Sequence, residues 1–238
     1  NFLDGNNEKL NDLWYMDLNA ESDKYHQWEK LKNNDVTATD NNVQKYAHSA
    51  VVHNNTLYIY GGKNANDDPL NDLCRLNIQT INNARNNPWT KLDTTGAVAM
   101  AHHSADISGN IMYLFDKKTL YDVDLNNNNN NNNNNYTFSS HSDGDSDIPS
   151  RQNHATTLVN NKLIIFGGEE PNNPTTLLND IWSINLAQLY ESKIKIDDTN
   201  KNNVAKRRSA HSVVVGENDI MYVIGGDMSN NADMWSIN

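Results

Sequence analysis

A short apolar run that ends in two glycines occurs three times in this chain and constrains its fold more than any other feature. The copies lie at 57–62, 163–168 and 221–226. Each follows a histidine that opens another apolar run, and the histidines recur about 50 to 57 residues apart when His103 is included. Repeats of this length indicate a solenoid or a propeller. Such arrays usually present binding surfaces.

Each repeat reads as four short strands separated by turn residues. In the second unit the strands are predicted at 45–52, 57–60, 71–76 and 88–92. Clusters of Asn, Gly and Pro between them are typical of an antiparallel meander. The second strand is apolar at successive positions, which indicates burial on both faces between stacked sheets. This pattern favours a propeller blade over a sandwich.

The repeats divide a single domain, residues 1–238, into five units. The units span about 1–40, 41–96, 97–147, 148–203 and 204–238, and the first and last are incomplete. Because both terminal units carry a third strand, the two ends duplicate each other instead of complementing each other. We therefore expect a segment of a longer chain. In the third unit, Phe115-Asp116 replaces the glycine pair.

A run of asparagine at 126–135 interrupts the third unit. Such tracts are disordered and prone to aggregate. We interpret this one as a disordered insert in a loop that points to solvent, because loops tolerate insertions. A regulatory or assembly segment is the alternative interpretation.

Charge and cysteine content exclude several classes of protein. The 238 residues contain 19 Lys and Arg against 30 Asp and Glu, a net charge of −11, which argues against general nucleic-acid binding. A single cysteine, Cys74, excludes an internal disulfide framework and fits a reducing compartment. The sequence shows neither a long apolar span nor a signal peptide. We expect a cytoplasmic protein with no nucleic-acid partner and no membrane span.

These ordered features resemble the kelch repeat. The family pattern is a His-Ser opening, four apolar residues, a Gly-Gly pair, an Asn-Asp-Leu-Trp-like third strand and a later tryptophan, and it covers nearly the whole chain. The resemblance implies an all-β, kelch-type β-propeller of four-stranded antiparallel blades, with about five blades seen of a six- or seven-bladed propeller. The structural residues of the repeat would be His48, His103, His154, His211, Gly61, Gly62, Gly167, Gly168, Gly225, Gly226, Trp14, Trp182 and Trp235.

Some propellers of this family are enzymes, and the residues that they need do not match this chain. Copper radical oxidases use tyrosine, histidine and a cysteine cross-linked to tyrosine, but Cys74 occupies a position that a packing tryptophan normally fills. Iron-dependent specifier proteins use Glu, Asp and His spaced by four. The nearest match, Glu8, Asp12 and Met16, lacks the histidine. We therefore expect no catalytic residue, no metal and no cofactor.

Basic residues recur three positions before the repeat histidine. They are Lys45, Arg151 and Arg208, and Met100 takes this place in the third unit. In kelch propellers that bind peptides, arginines here and after the glycine pair project from loops on one face. The resemblance implies that these cations gather on one face, with Lys63 nearby. Such a cluster suits an acidic peptide, whereas the alternative is that the cations brace neighbouring loops.

We interpret the chain as a non-catalytic kelch scaffold or adaptor that binds a protein or an acidic peptide through loops on one face. Charge reversal of Arg151 and Arg208 is then expected to weaken partner binding without unfolding the domain. One alternative is a propeller-type metalloenzyme, such as a copper oxidase or an iron-dependent lyase. Another is a regulatory kelch segment of a larger signalling protein.

Overall fold

The computed structural model describes residues 13–30, 45–79, 89–126, 135–142, 147–189, 193–196, 205–226 and 234–237. Regular secondary structure within these ranges is β-strand, apart from one 3-10 turn at Glu217–Asp219. Most of the asparagine tract, residues 127–134, lies outside the described residues. Its predicted disorder therefore stays a prediction.

The strands form five antiparallel groups, which we call blades 1 to 5. Blade 1 contains β1 (Trp14–Met16) and β2 (Trp28–Lys30), and blade 2 contains β3 (Ser49–His53), β4 (Thr56–Tyr60), β5 (Leu73–Asn77) and β6 (Thr90–Thr95). Blade 3 contains β7 (Ser104–Ser108), β8 (Ile111–Asp116), β9 (Thr119–Asp124) and β10 (Asn135–His141). Blade 4 contains β11 (Ala155–Val159), β12 (Lys162–Glu170), β13 (Asn173–Asn185) and β14 (Lys193–Ile196), and blade 5 contains β15 (Ser212–Val215), β16 (Met221–Ile224) and β17 (Met234–Ile237). Within each blade, every strand pairs with the next one in the chain.

The blades belong to two compact bodies. The first body comprises Asn1–Asp93 and Val98–Ala101, and the second comprises Thr94–Ala97 and His102–Asn238. Blades 3, 4 and 5 thus lie in the second body. The all-β class and the four-stranded antiparallel blades predicted from the repeats are confirmed. The single domain stays a prediction.

One strand register recurs in blades 2 to 5. The residue after the repeat histidine lies opposite the residue before the glycine pair: Ser49 opposite Tyr60, Ala155 opposite Phe166, and Ser212 opposite Ile224. In blade 3 the corresponding pair is Ser104 and Phe115. Phe115 therefore corresponds to Phe166, and the glycine pair is replaced by Asp116-Lys117, one residue later than the sequence suggested.

This replacement shortens the connection between the second and third strands of blade 3. Strands β8 and β9 are joined through Lys117 and Lys118, because Asp116 pairs directly with Thr119. In blade 4 the two strands themselves extend into a longer hairpin, because β12 continues to Glu170 and β13 begins at Asn173. The connection between the second and third strands is therefore much shorter in blade 3 than in blade 4.

Apolar cores lie between adjacent blades of the second body. One core contains Phe115 and Leu120 of blade 3 with Leu163, Ile165, Trp182 and Ile184 of blade 4. The next contains Phe166 and Ile181 of blade 4 with Met221 and Val223 of blade 5. Full burial of such a side chain stabilises the fold by about 1.5–3 kcal/mol. The second strand of blade 4 is thus covered on both sides, as its continuous apolar pattern predicts.

Two repeat histidines belong to these junctions. The His154 ring lies edge-on to Phe115 with the ring centroids 5.3 Å apart, and His211 meets Phe166 in the same way at 5.2 Å. Burial, together with the charge of Arg151, lowers the pKa of His154 to about 3. Burial and the charge of Arg208 lower the pKa of His211 to about 4. Both rings therefore pack as neutral groups.

Acid is expected to destabilise the second body through these two histidines. An unfolded histidine binds a proton near its ordinary pKa of 6.5, whereas the folded His154 and His211 do not. As the pH falls from 6.5 towards 4, the unfolded state gains protons and the free energy of unfolding drops by roughly 1.4 kcal/mol per pH unit for each histidine. Asp106 and Asp116, whose pKa values are raised by burial, oppose this loss.

Urea denaturation at several pH values, followed by tryptophan fluorescence, measures this dependence. The variant His154→Gln has no titrating group at this position and serves as the control. We expect a smaller loss of unfolding free energy with acid in the variant than in the native chain. Equal losses in the two proteins would show that His154 does not couple folding to pH.

Candidate functional site

The first of the predicted binding cations, Lys45, is buried inside blade 2. Its Nζ lies 2.6 Å from Oδ2 of Asp72, and the two side chains are only 1% and 4% exposed. The Cys74 thiol contacts the same carboxylate oxygen at 3.4 Å. Because a buried ammonium requires a partner, Asp72 accounts for the position of Lys45 without any external ligand.

Arg151 makes the corresponding contacts in blade 4, where it is 0% exposed. Its Nη1 and Nη2 each donate to one carboxylate oxygen of Asp180 at 2.8 Å, and Nη1 also donates to the Gly167 carbonyl at 2.9 Å. The indole N–H of Trp182 donates to the same carboxylate at 2.6 Å. Burial acts to raise the pKa of Asp180, but the hydrogen bonds and charge of Arg151 outweigh it and the pKa is lowered. This two-pronged pair is the strong form of an arginine–carboxylate contact.

Arg208 holds the same place in blade 5 and is 1% exposed. Its Nη1 donates to the Gly225 carbonyl at 2.8 Å, and its Nε donates to the Lys206 carbonyl at 3.1 Å. Asp233 occupies the sequence position of Asp72 and Asp180, but it lies outside the described residues. Arg208 and Arg151 therefore share the contact with the first glycine of the pair.

The third repeat replaces both partners of this ion pair. Met100 stands at the position of the cation. The register of β8 and β9 places Thr119 at the position that Asp180 holds in blade 4. A buried charge that loses its partner is strongly destabilising, and replacement of both residues avoids that cost. The joint change supports a role for the cation and the carboxylate as an internal pair.

The backbone beside these cations joins consecutive blades. The N–H of Gly168 donates to the Arg208 carbonyl at 2.8 Å, and the N–H of Arg208 donates to the Leu178 carbonyl at 3.0 Å. In the first body, Gly62 bonds to Met100 at 2.9 Å and Met100 bonds to Leu70 at 3.0 Å in the same pattern. Arg208 thus connects the glycine pair and the third strand of blade 4, and Met100 makes the same two bonds to Gly62 and Leu70 in the first body.

The second glycine of the pair lies where no side chain fits. Gly168 has φ 98°, and a Cβ on it would lie 2.8 Å from the Gln152 carbonyl and 2.9 Å from the Cβ of His154. Gly62 repeats this geometry, with φ 90° and the Tyr46 carbonyl 2.7 Å from its added Cβ. Only glycine tolerates both the positive φ and this close approach. The second glycine is therefore required because the residues that lead into the first strand of the same blade lie against its backbone.

The sequence did not predict a second set of contacts between blades. The residue before each repeat histidine has positive φ, at Ala47, His102, Asn153 and Ala210. In the second body the N–H of Asn153 donates to the His102 carbonyl at 3.0 Å, and the N–H of Ala210 donates to the Asn153 carbonyl at 2.8 Å. Alanine, histidine and asparagine all adopt this positive-φ conformation here, so no single residue type in the sequence predicts it.

Glu169, which follows the glycine pair of blade 4, is buried and does not present an exposed negative charge beside the cations. It is 8% exposed, and its Oε1 accepts hydrogen bonds from the side-chain amides of Gln152 and Asn153, both at 2.9 Å. Its carboxylate is therefore used inside the second body, in the turn that precedes the first strand of blade 4.

In the first body, Lys63 follows the glycine pair and is partly exposed. Its Nζ lies 5.9 Å from the centroid of the Tyr46 ring, within the range of a cation–π contact. The Tyr46 hydroxyl donates to Asp67 at 2.7 Å, and Oδ1 of Asn64 accepts two backbone N–H groups of the same loop. Lys63 is therefore the one residue of the predicted set that the structure leaves partly open to solvent, on a loop with internal bonds.

Other exposed cations occur beside the buried ones. Lys117 and Lys118 form the short turn of blade 3, and the Lys117 side chain is 62% exposed. The Lys117 carbonyl accepts the N–H of Arg151 at 3.1 Å, which places this turn beside the start of blade 4. Lys206 and Arg207 are also exposed, directly before Arg208. The sequence did not single out Lys117 and Lys118, because the predicted break at Phe115-Asp116 placed the glycine pair one residue too early.

Cys74 has the properties of a packing residue. It is 5% exposed, and burial raises the pKa of its thiol to about 11. A thiol of that pKa is a poor nucleophile and a poor metal ligand at neutral pH. Within the described ranges, no three His, Cys, Asp or Glu side chains are arranged to hold a metal ion, and no helix is long and apolar enough to cross a membrane.

Comparison with known proteins gives one family and several relatives. The family model described as the KLHDC2/KLHL20/DRC7 Kelch-repeats domain matches residues 3–119 and 83–238. Kelch domain-containing protein 3 of Rattus norvegicus is 24% identical over 188 residues, which are 76% of this chain and 47% of that protein. Leucine-zipper-like transcriptional regulator 1 homolog of Drosophila melanogaster is 28% identical over 182 residues, 71% of this chain and 17% of that protein. The chain thus spans about half or less of the length of these relatives.

Among solved structures, that of YjhT matches with a TM-score of 0.65 and 16% sequence identity. The match covers 91% of this chain and 66% of the YjhT chain. At this identity the similarity shows a shared fold and nothing about activity.

Removal of Arg151 alone is expected to be much more damaging than removal of the whole ion pair. Arg151→Met leaves the half-buried Asp180 carboxylate, whose side chain is 16% exposed, without its cationic partner, at a cost of up to about 3 kcal/mol. The double variant Arg151→Met, Asp180→Thr copies the residues of the third repeat and should recover most of that loss. Free energies of unfolding from urea denaturation of the single and double variants measure the coupling. Additive losses would contradict an internal pair.

Charge reversal at this position is now expected to have a different result from the one inferred from sequence. Arg151→Glu would place a second carboxylate against Asp180 in a buried site, where like charges repel strongly. We therefore expect unfolding of blade 4, seen as loss of the cooperative transition, and not a folded protein with weaker binding. A folded Arg151→Glu variant would show that the site is open to solvent.

Proposed function

Because this chain belongs to the kelch-repeat family, we propose that it is a non-catalytic protein–protein interaction module whose loops bind the partner. Members of the family are usually protein-interaction modules. The kelch-type propeller fold inferred from the repeat is confirmed by the family match and by the YjhT structure. The partner, the binding loops and the lack of catalysis are parts of the proposal.

The observation that carries the proposal is a contrast between constant strands and variable connections. Strands of blades 2, 3 and 4 share one register, but the second and third strands are linked by residues 61–72, 116–119 and 167–180. These connections differ in length and in sequence, whereas the strands on either side of them keep one register. Recognition residues typically lie on such loops, positioned by a rigid scaffold.

The buried cations have a positioning role in this proposal. Arg151 holds the carbonyl of Gly167, and Arg208 holds the carbonyl of Gly225, at the point where each connection leaves its second strand. Lys45 bonds to Asp72, at the end of the corresponding connection in blade 2. Each cation therefore fixes the base of a loop, and contact with a partner falls to exposed residues of the loops.

Exposed ammonium groups on these loops favour a partner segment with carboxylates. In the second body, Lys117 and Lys118 lie side by side on the blade 3 turn and are both exposed. The whole chain carries a net charge of −11, so most of its surface repels an acidic segment. A local cluster of lysines would attract such a segment to one place. Electrostatic complementarity of this kind contributes to specificity and to association rate.

A phage-displayed library of random peptides tests the proposal with a defined probe. We expect selection of acidic peptides, and the double variant Lys117→Glu, Lys118→Glu should bind them at least about tenfold more weakly, which corresponds to about 1.4 kcal/mol. Lys162→Glu is the matched control, because Lys162 is exposed at the opposite end of a second strand. Affinities are measured by fluorescence anisotropy at two salt concentrations.

Two results would contradict the proposal. Equal weakening by Lys162→Glu would show a general charge effect instead of a site on the loops. Copper or iron present at one equivalent in the purified protein would favour the metalloenzyme alternative. Thermal unfolding of each variant, compared with the native chain, shows whether a loss of binding has a structural origin.

A further inference from the structure

The outer strand of blade 3 begins with the last residue of the asparagine run. The run covers residues 126–135, and β10 covers Asn135–His141, so Asn135 belongs to both. Residues 138–141 of β10 pair with β9 of the same blade. One edge of β10 is thus joined to its own blade, and the other edge is the outer edge of blade 3.

A short segment of the second body covers this outer edge. The segment is Thr94–Ala97, and its first two residues end β6, which adjoins β10 in the sheet order. The side-chain amide of Asn135 donates to Oγ1 of Thr95 at 2.7 Å. We call Thr94–Ala97 the edge cover. It lies beside the start of β10, where the strand leaves the asparagine run.

Gly96 allows the edge cover to approach β10 closely. A Cβ added to Gly96 would lie 2.7 Å from the carbonyl oxygen of Phe138, closer than real Cβ atoms approach. The φ of Gly96 is 72°, which also favours glycine. Because Gly96 is itself exposed, the close approach to β10 and the positive φ account for a glycine here better than core packing does.

Other contacts hold β10 in blade 3 at its far end. The four pairs of residues 138–141 with β9 form one half of the strand, and the His141 ring bonds to the carboxylate of Asp122 on β9. These contacts are made without the edge cover. Displacement of the cover would therefore expose the outer edge of β10 while the strand itself stays in the sheet.

An open edge at this place has a specific chemical consequence. An uncovered edge strand presents unpaired N–H and C=O groups, which pair with strands of other chains. Asparagine side chains stabilise such assemblies, because identical amides of stacked chains bond to one another in ladders. Asn135 is already in a strand, and its amide already bonds to a neighbouring segment. In this chain, the edge and the asparagine run are therefore continuous.

We infer that the outer edge of β10 is a self-assembly surface for a second copy of this chain, and that the edge cover keeps this surface closed. The second copy is the occupant because it brings the same edge and the same asparagine run, so identical amides meet. Thr95 holds the Asn135 amide that the second copy would otherwise bind. The inference is independent of the proposed partner binding.

The variant Gly96→Val of the whole chain tests the edge cover. Its branched side chain cannot fit against the Phe138 carbonyl, so the cover should move away from β10. We expect the lag time of thioflavin T fluorescence to shorten at least about tenfold relative to the native chain. Gly109→Val is the matched control, because Gly109 also has a positive φ, 59°, but its added Cβ meets no atom within 4 Å.

Three further variants locate the surface. Serine in place of asparagine at 127–134 should restore the native lag time to Gly96→Val, because the amide ladder is lost. Thr137→Pro should do the same, since a proline on an exposed residue of β10 blocks pairing at the edge. Thr95→Val removes only the hydroxyl that accepts the Asn135 amide, so we expect a smaller effect, a lag time about two- to threefold shorter.

Four results would overturn the inference. Gly96→Val with a native lag time would show that the cover does not restrain assembly, and an equal effect of Gly109→Val would show general destabilisation. Assembly that survives the serine replacement or Thr137→Pro would place the contact elsewhere. If Gly96→Val loses its cooperative unfolding transition, Thr95→Val decides the question, and an unchanged lag time in Thr95→Val contradicts the inference.

Discussion

A buried cation three residues before the repeat histidine holds the connection between the second and third strands in blades 2, 4 and 5. The side chain of Arg151 fixes the first glycine and Asp180 within its own blade, and the backbone at the equivalent Arg208 bonds to the preceding blade. Because the ion pair is removed from water, neither partner can be lost alone without a large cost. The third repeat meets this condition with Met100 and Thr119, and it keeps the shared register without the charges.

This use of the cations separates the scaffold from recognition. In blade 4, the glycine pair, the carboxylate of Asp180 and the positive-φ residue Asn153 all make their contacts within the blade or with a neighbouring blade. The connections from 61–72 and from 167–180 begin and end at such fixed points and are otherwise free to differ. If the loops bind a partner as proposed, exchange of loop residues can change that partner, since none of the junction contacts needs to move.

The sequence predicted most of the fold, because the apolar runs and glycine pairs report strand burial and backbone crowding directly. It placed the break in the third repeat one residue early, since register cannot be read where Asp116 replaces a glycine. The sequence did not reveal whether the arginine of each repeat is buried or exposed, because either arrangement has the same residue at the same position of the repeat. A signal for burial was present: the Asp of the third strand recurs with the cation, and both are replaced together in the third unit. The positive φ before each histidine had no signal, since Ala47, His102 and Asn153 share it.

Docking between blades and the charge state of the repeat histidines are coupled. His154 and His211 lose contact with water because an aromatic residue of the preceding blade covers them, and this burial is the largest cause of their lowered pKa values. A proton on either ring would therefore act against the junction first and against the blade only indirectly, since the strand pairing within a blade does not involve the ring. We therefore expect acid to weaken these two junctions of the second body.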